Sequence, residues 1–227
     1  MNFVHLGACI GDWDKKCGFS KFIKDNCKKN DKIFLVEPNP RNIKKLKQSY
    51  KNFSNVKFFN FGVSIKKNRK ALFFYTEDDA PHFKVCSTDK NHVLKHYPYS
   101  IIKRFTMKTI EINNFFKNFI KEKNIDYLSI DVEGLDYKIL TSIKLQKYNI
   151  KNISIEHLHL SKKQKKILVR YLEKNGYSYC GFGYDHNNFD YLFVRKKILW
   201  NIFLSKMLHL ISTKHYKFLN LFILNKK

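Results

Sequence analysis

The apolar run YLSI at residues 127–130 ends on two acids, Asp131 and Glu133, turns at Gly134 and continues as a helical pattern, LDYKIL. The unit recurs: FVHL opens into a turn bounded by Gly7 and Gly11, and KIFLV ends on Glu37 before Asn39 and Pro40. Asn39 is a candidate helix N-cap, and Pro40 falls at the first helical position, where its missing N–H leaves no donor unsatisfied. Short continuous apolar runs read as strands buried on both faces, and such strands alternating with helices pack as a mostly parallel sheet covered on both sides. This pattern restricts the chain to a doubly wound α/β fold, in which ligands sit beyond the carboxyl ends of the strands.

The other elements fit that frame. A helix is predicted over 15–29, and Ile43, Leu46 and Tyr50 give the next one its apolar face. NVKFFNFGVS reads as a third strand ending at Asn60 to Ser64, and ALFFYTE as an extra strand. Residues 78–105 are expected to form a loop-rich insertion with a short helix near Asn91 to His96. A short strand and a helix follow in FTMKTIEINNFFKNFIKEKNI, and NISIEHLHL is the fifth core strand. Ser161 and Gln164 have capping-box spacing before a helix faced by Ile167, Leu168, Tyr171 and Leu172, with Gly176 at its C-terminal cap. Two last strands around the polar turn DHNN close the sheet as a hairpin, one of them antiparallel.

Charge and cysteines bound the setting. Lys and Arg outnumber Asp and Glu 44 to 19, a net charge of +25 that ordinarily points to nucleic acid or an anionic membrane. Lys, Asn, Ile and Phe are heavily used throughout, however, and compositional drift adds lysines to every solvated face without selecting a partner. No strip of interleaved basic and aromatic residues with an RNA-binding motif is visible in the core, so no specific nucleic acid is expected. Cys9, Cys17, Cys27, Cys86 and Cys180 are odd in number and form no CxxC pair. The first apolar run is too short for a signal peptide, so a reduced, cytoplasmic protein is expected.

A glycine turn after a first strand lets backbone approach a ligand, and an acid ending the second strand can accept the hydroxyls of a ribose. Together they predict an adenosine-bearing cofactor, although the glycines alone also fit a structural turn. FVHLGACIGDW, VEPNP and IDVEGLDYKIL, in this order, resemble the FkbM-family S-adenosylmethionine-dependent methyltransferases over about residues 2–195. The resemblance implies a class I methyltransferase fold, Rossmann-like, with a seven-stranded sheet whose last strand is antiparallel. It implies O-methylation of a hydroxyl on a sugar or glycan, with S-adenosyl-L-methionine as cofactor. Gly7, Ala8 and Gly11 would then flank the methionine end of the cofactor, Glu37 would take the ribose, and Gly62, Val63 and Ser64 would border the adenine. His5 stands where the family's first strand usually ends on an acid. Asp131 and Glu133 would lie beside the reacting methyl group.

Methyl transfer to a hydroxyl needs a group that accepts the hydroxyl proton. Glu133, Asp131 and the pair His157 and His159 are the candidate bases, and Glu133 is favoured because the turn at Gly134 exposes it. Asp131 also suits an alternative role as a cap for the following helix. Glu156, His157 and His159 could together hold a metal, but a lone HxH is more often a polar strand edge, and no metal is expected. After Asp190 there is no further acid, and residues 198–227 form a basic, aromatic, amphipathic helical tail beyond a domain spanning 1–197. Its apolar faces, starting at Trp200 and Phe218, fit equally an interfacial helix pair on an anionic membrane and an appendage packed on the sheet or a second copy. The competing functions are an RNA methyltransferase and a membrane-docked cofactor-binding protein without catalysis.

Overall fold

The computed structural model describes residues 1–11, 18–67, 69–80, 84–183, 188–198 and 200–204. In chain order the first elements are β1 (Asn2–Leu6), α1 (Gly18–Asn26), β2 (Lys32–Val36), α2 (Pro40–Ser49), β3 (Val56–Phe59), β4 (Gly62–Ser64) and β5 (Arg69–Thr76). They continue as β6 (Cys86–Ser87), α3 (Lys90–His96), β7 (Ile102–Glu111) and α4 (Ile112–Phe115), which runs into a π-helical turn, Phe116–Ile120. The rest is β8 (Asn124–Ile130), α5 (Asp136–Ser142), β9 (Asn149–Glu156), α6 (Lys162–Lys174), β10 (Tyr177–Phe182) and β11 (Asp190–Arg195).

Seven strands form one sheet in the order β10-β11-β9-β8-β1-β2-β3. β1 pairs in parallel with β2 and β8, and β8 with β9, while β11 runs antiparallel to both β9 and β10. The last strand is thus the reversed one. Period-2 alternation sends β1 and β2 side chains to both faces. Val4, Leu6, Phe34 and Val36 join a core shared with α4, α5 and α6, whereas Phe3, Ile33 and Leu35 pack with Phe19, Ile23 and Leu46 of α1 and α2. Helices cover both faces, which is why these strands carry no polar alternation.

Local signals end the helices as their chemistry dictates. Asn39 caps α2 by accepting from Arg41 N, with Pro40 at its start, and Ser161 and Gln164 make the full reciprocal capping box of α6. Gly176, at φ +86°, follows the α6 cap residue Asn175 in the left-handed conformation that glycine adopts without strain.

Two expectations are corrected. The third predicted strand breaks at Asn60: β3 stays in the main sheet, while β4 joins a second, four-stranded sheet of order β4-β7-β5-β6. The Asn60 side chain donates to the carbonyls of Glu37 and Pro38, tying the break to the end of β2. Ile102 to Phe105, read as insertion loop, belong to the ten-residue β7, which pairs with β5 from Ile102 to Thr109. Much of β7 is exposed and basic, so its strand character comes from β5 rather than from its own burial. The helix predicted over 15–29 is seen as Gly18–Asn26, and its expected start lies outside the described residues.

Candidate active site

A cavity of about 570 Å³ opens at the carboxyl ends of β1, β2 and β8, within the usual range for small-molecule sites. His5, Gly7, Ala8, Gly11, Glu37, Gly62, Val63, Asp131 and Glu133 all line it, together with Glu156 and Asp190. The second sheet and its helix supply the opposite wall through Phe73, Lys84, Cys86 and Tyr97. Ser64 and His157 are not among the lining residues; the Ser64 hydroxyl donates to Lys66 O.

Glu37 is buried, and its carboxylate is held from three directions: Cys9 N donates to Oε2 at 2.8 Å, and Asn39 N and Asn42 Nδ2 donate to Oε1 at 2.7 and 3.2 Å. Burial pushes its pKa up from 4.5 to about 7 against these hydrogen bonds. The glycine turn takes up its N–H groups within the protein. Gly7 N and Ala8 N donate to Val36 O, Gly11 N donates to Ala8 O, and Cys9 N is taken by Glu37. Its contribution is shape and the fixing of Glu37. At Gly7, φ is +85° and an added Cβ would lie 1.5 Å from the Asp131 carbonyl oxygen, so only glycine lets the first turn touch the turn after β8.

That second turn is tied by Asp136, whose carboxylate accepts from Val132 N and Gly134 N. No side chain caps α5, so the cap considered for Asp131 is not made, and the Asp131 side chain stands on the cavity wall. Desolvation, then the neighbouring Glu156 and Glu133, raises the Asp131 pKa well above the carboxylate range, and desolvation with Asp136 and Glu133 raises Glu156. Glu133 stands at φ +51°, a conformation that a residue with a side chain holds only where its surroundings enforce it. Ser87 Oγ donates to its carbonyl at 2.7 Å, and its Oε2 lies 2.9 Å from His92 Nε2.

The two histidines of EHLH part company, because β9 ends at Glu156 and the chain turns there. They do not share a strand face. His157 is buried away from the cavity with its ring stacked on Tyr191 at 3.8 Å, so it stands apart from the other candidate bases. His159 turns the other way, to Glu156, His92 and His96. Burial lowers the pKa of His96, and burial with its neighbouring imidazoles brings His159 to about 4. The sequence reading did not single out His92 and His96; their one signal was two histidines four apart in NHVLKH.

The residues present fit S-adenosylmethionine. Glu37 offers a carboxyl at the end of the second strand that can accept the hydroxyls of a ribose, and the His5 Nδ1 atom, on a residue that lines the cavity, is buried without a hydrogen-bond partner among the described residues. His5 stays neutral, since burial lowers its pKa to about 3. A seven-stranded doubly wound sheet with its last strand reversed, and a cavity at its carboxyl edge with an acid ending the second strand, define a class I S-adenosylmethionine-dependent methyltransferase. Residues 5–179 match the family model of the methyltransferase FkbM domain, and the chain belongs to that family.

No curated protein matches the chain. Among solved structures it is similar to the fibrillarin of Aeropyrum pernix, in complex with natively bound S-adenosyl-L-methionine, at 11% identity and a TM-score of 0.46, over 86% of this chain and 65% of that one. The fibrillarin pre-rRNA processing protein of Methanococcus jannaschii follows at 12% identity and 0.43, over 86% and 66%. The precorrin-6y C5,15-methyltransferase of Geobacter metallireducens stands at 13% and 0.42, over 86% and 79%. The chain spans just under two thirds of the length of both fibrillarins.

Proposed function

We propose that the protein transfers a methyl group from S-adenosylmethionine to a hydroxyl of a sugar or glycan. The observation that carries this reading is Glu133, turned onto the cavity wall by a left-handed backbone and hydrogen-bonded to His92 beside the buried acids. When bound, the cofactor supplies a methyl group made electrophilic by its sulfonium. Glu37 holds the ribose, and Asp131 lines the cavity beside the methyl end as a carboxyl kept protonated by burial and its acidic neighbours. Glu133 takes the proton from the acceptor hydroxyl, and the walls exclude water that would compete for the methyl. Five acids, Glu37, Asp131, Glu133, Glu156 and Asp190, against Lys84 line this cavity in a chain of charge +25. Lys84 is the one Lys or Arg among the described lining residues and is paired with Asp79, so the cavity offers no cationic cluster to the phosphate backbone of RNA, which favours a neutral saccharide. Incubation with methyl-labelled cofactor and glycan fractions tests the reading: label must appear as an alkali-stable methyl ether on sugar, and label on RNA alone would move the acceptor class.

Glu37→Ala is expected to weaken binding of S-adenosylmethionine by about 1–3 kcal/mol, the scale of lost hydrogen bonds to a charged acceptor. The sign of the pH effect follows from the raised pKa. Ionising Glu37 costs the ligand-free protein stability as pH rises from 4.5 to about 7, and ribose hydroxyls favour the ionised form. Affinity therefore falls as pH drops below 7, by up to about tenfold per unit. Calorimetry in two buffers of different ionisation enthalpy should show proton release near neutrality in the wild type and none in Glu37→Ala. Unchanged affinity in the variant would remove Glu37 from the site.

The tail fits peripheral binding to an anionic inner-membrane face, where a lipid-linked saccharide would present its sugar. No described helix is long and apolar enough to cross a membrane, while Trp200 is 60% and Phe203 57% exposed and stacked on each other. The expected tail beyond residue 204 lies outside the described residues. Each lysine near an anionic surface adds about 1 kcal/mol. In flotation, the full chain should rise with anionic vesicles and a chain ending at Lys197 should stay behind; a full chain that ignores them places the tail elsewhere.

A further inference from the structure

Behind Glu133, three segments distant in sequence bring three imidazoles and one carboxylate together. His92 and His96 stand one turn apart on α3, His159 lies in the turn after β9, and Glu133 comes from the turn after β8. One donor atom from each of the four lies within 4.8 Å of every other. The ring centroids of His92, His96 and His159 are 4.4 to 5.2 Å apart, and all four residues are half-buried. Of these groups the cavity is lined only by Glu133.

We propose that these four side chains are the ligands of a single divalent transition-metal ion of the zinc class. The donor set is the first argument: three imidazoles with one carboxylate suit zinc and its neighbours rather than magnesium or calcium, which take oxygen. Geometry is the second. Bonds of about 2.0–2.1 Å in a tetrahedron set donors roughly 3.4 Å apart. The His92–Glu133 pair is already inside that distance, at 2.9 Å, and since no pair is wider than 4.8 Å, side-chain rotations that close at most about 1.4 Å complete the shell.

The surroundings are the third argument. Glu156 Oε1 lies 3.1 Å from His159 Nε2, an outer carboxylate of the kind that orients ligating imidazoles. Gly134, at φ +95°, leaves room for the His92 ring, since a Cβ there would stand 3.1 Å from His92 Nδ1. Glu133 is held in its left-handed conformation with the Ser87 hydroxyl on its carbonyl, which aims its carboxylate at the imidazoles. Four protein ligands fill a tetrahedral shell, so the ion is a clamp rather than a site for exchangeable water. It fixes Glu133 and pins α3 to the two turns at the edge of the main sheet. One carboxylate oxygen suffices as ligand, and the other remains for the acceptor side.

The binding claim stands whether or not the protein methylates a sugar, and the experiment reads metal alone. Full-length protein stripped with a chelator is titrated with Co²⁺, then Zn²⁺, and followed by visible absorption and metal analysis. The wild type should take up one equivalent of Co²⁺ with the intense visible bands of tetrahedral coordination, and Zn²⁺ should displace it. His96→Ala and His159→Ala should each lose more affinity than the roughly 10- to 100-fold that follows loss of an outer-shell partner, whereas His157→Ala should bind as the wild type does. Circular dichroism confirms that the variants are folded, and His96→Gln serves if His96→Ala is not. No stoichiometric uptake by the wild type, or undiminished affinity in the folded His96 and His159 variants, overturns the proposal.

Discussion

Glu133→Gln should lower turnover by about two to four powers of ten while S-adenosylmethionine binds nearly as before. Glutamine keeps the size of the side chain and an amide oxygen for His92 or for the proposed metal ion but cannot accept the hydroxyl proton, and loss of a positioned base typically costs this much. Cofactor affinity should be insulated because the proposed ribose contact is Glu37, not Glu133, and Glu37 is fixed by hydrogen bonds of its own. A single-turnover assay with saturating cofactor, beside calorimetry on the same variant, separates the two quantities. Normal turnover would end the assignment of Glu133 as base; a parallel fall in cofactor affinity would make it a binding residue. His157→Ala should leave turnover within a few-fold, since its ring is stacked on Tyr191 away from the cavity.

Gly7→Ala should damage the whole site. The added methyl meets the Asp131 carbonyl at 1.5 Å, and the residue would keep a left-handed φ of +85°. Left-handed strain and overpacking cost about 1–3 kcal/mol each, so a loss of roughly 2–6 kcal/mol is expected. For a chain of this size that corresponds to a fall in Tm of about 5–20 °C. Thermal unfolding followed by circular dichroism measures it. A variant as stable as the wild type would show that the two turns separate freely, and cofactor affinity, which depends on Cys9 N reaching Glu37, should fall with stability.

How far the sequence carried this reading depended on the range of the interactions. The buried strands β1, β2, β8 and β9 announced themselves because both faces are covered, so apolar residues dominate their runs, with few polar interruptions such as His5 and Ser129. Asn39, Pro40, Ser161 and Gln164 were legible because a cap is an interaction within four residues. β7 was hidden because half its side chains face solvent and its partner, β5, lies about thirty residues away. Among the candidate site residues, those at the ends of core strands fell on the cavity wall, since strand direction alone puts them there. His92 and His96 escaped notice because what gives them company, Glu133 and His159, comes from the far side of β8 and β9. His157 was misread because alternation places His157 and His159 on one face only while the strand continues, and it stops one residue earlier.

The second sheet has an implication for how such a protein can change. Lys84, Cys86 and Tyr97, with Phe73 on β5, come from one contiguous stretch between β4 and β7, while Gly7, Gly11, Glu37 and Asp131 lie at the strand ends of the main sheet. The two walls therefore come from different parts of the chain. Substitutions between Ser64 and Ile102 that spare Ser87, His92 and His96, which hold or neighbour Glu133, would reshape the one wall while the hydrogen bonds that fix Glu37 in the other stay as they are, so the two walls are free to evolve at different rates.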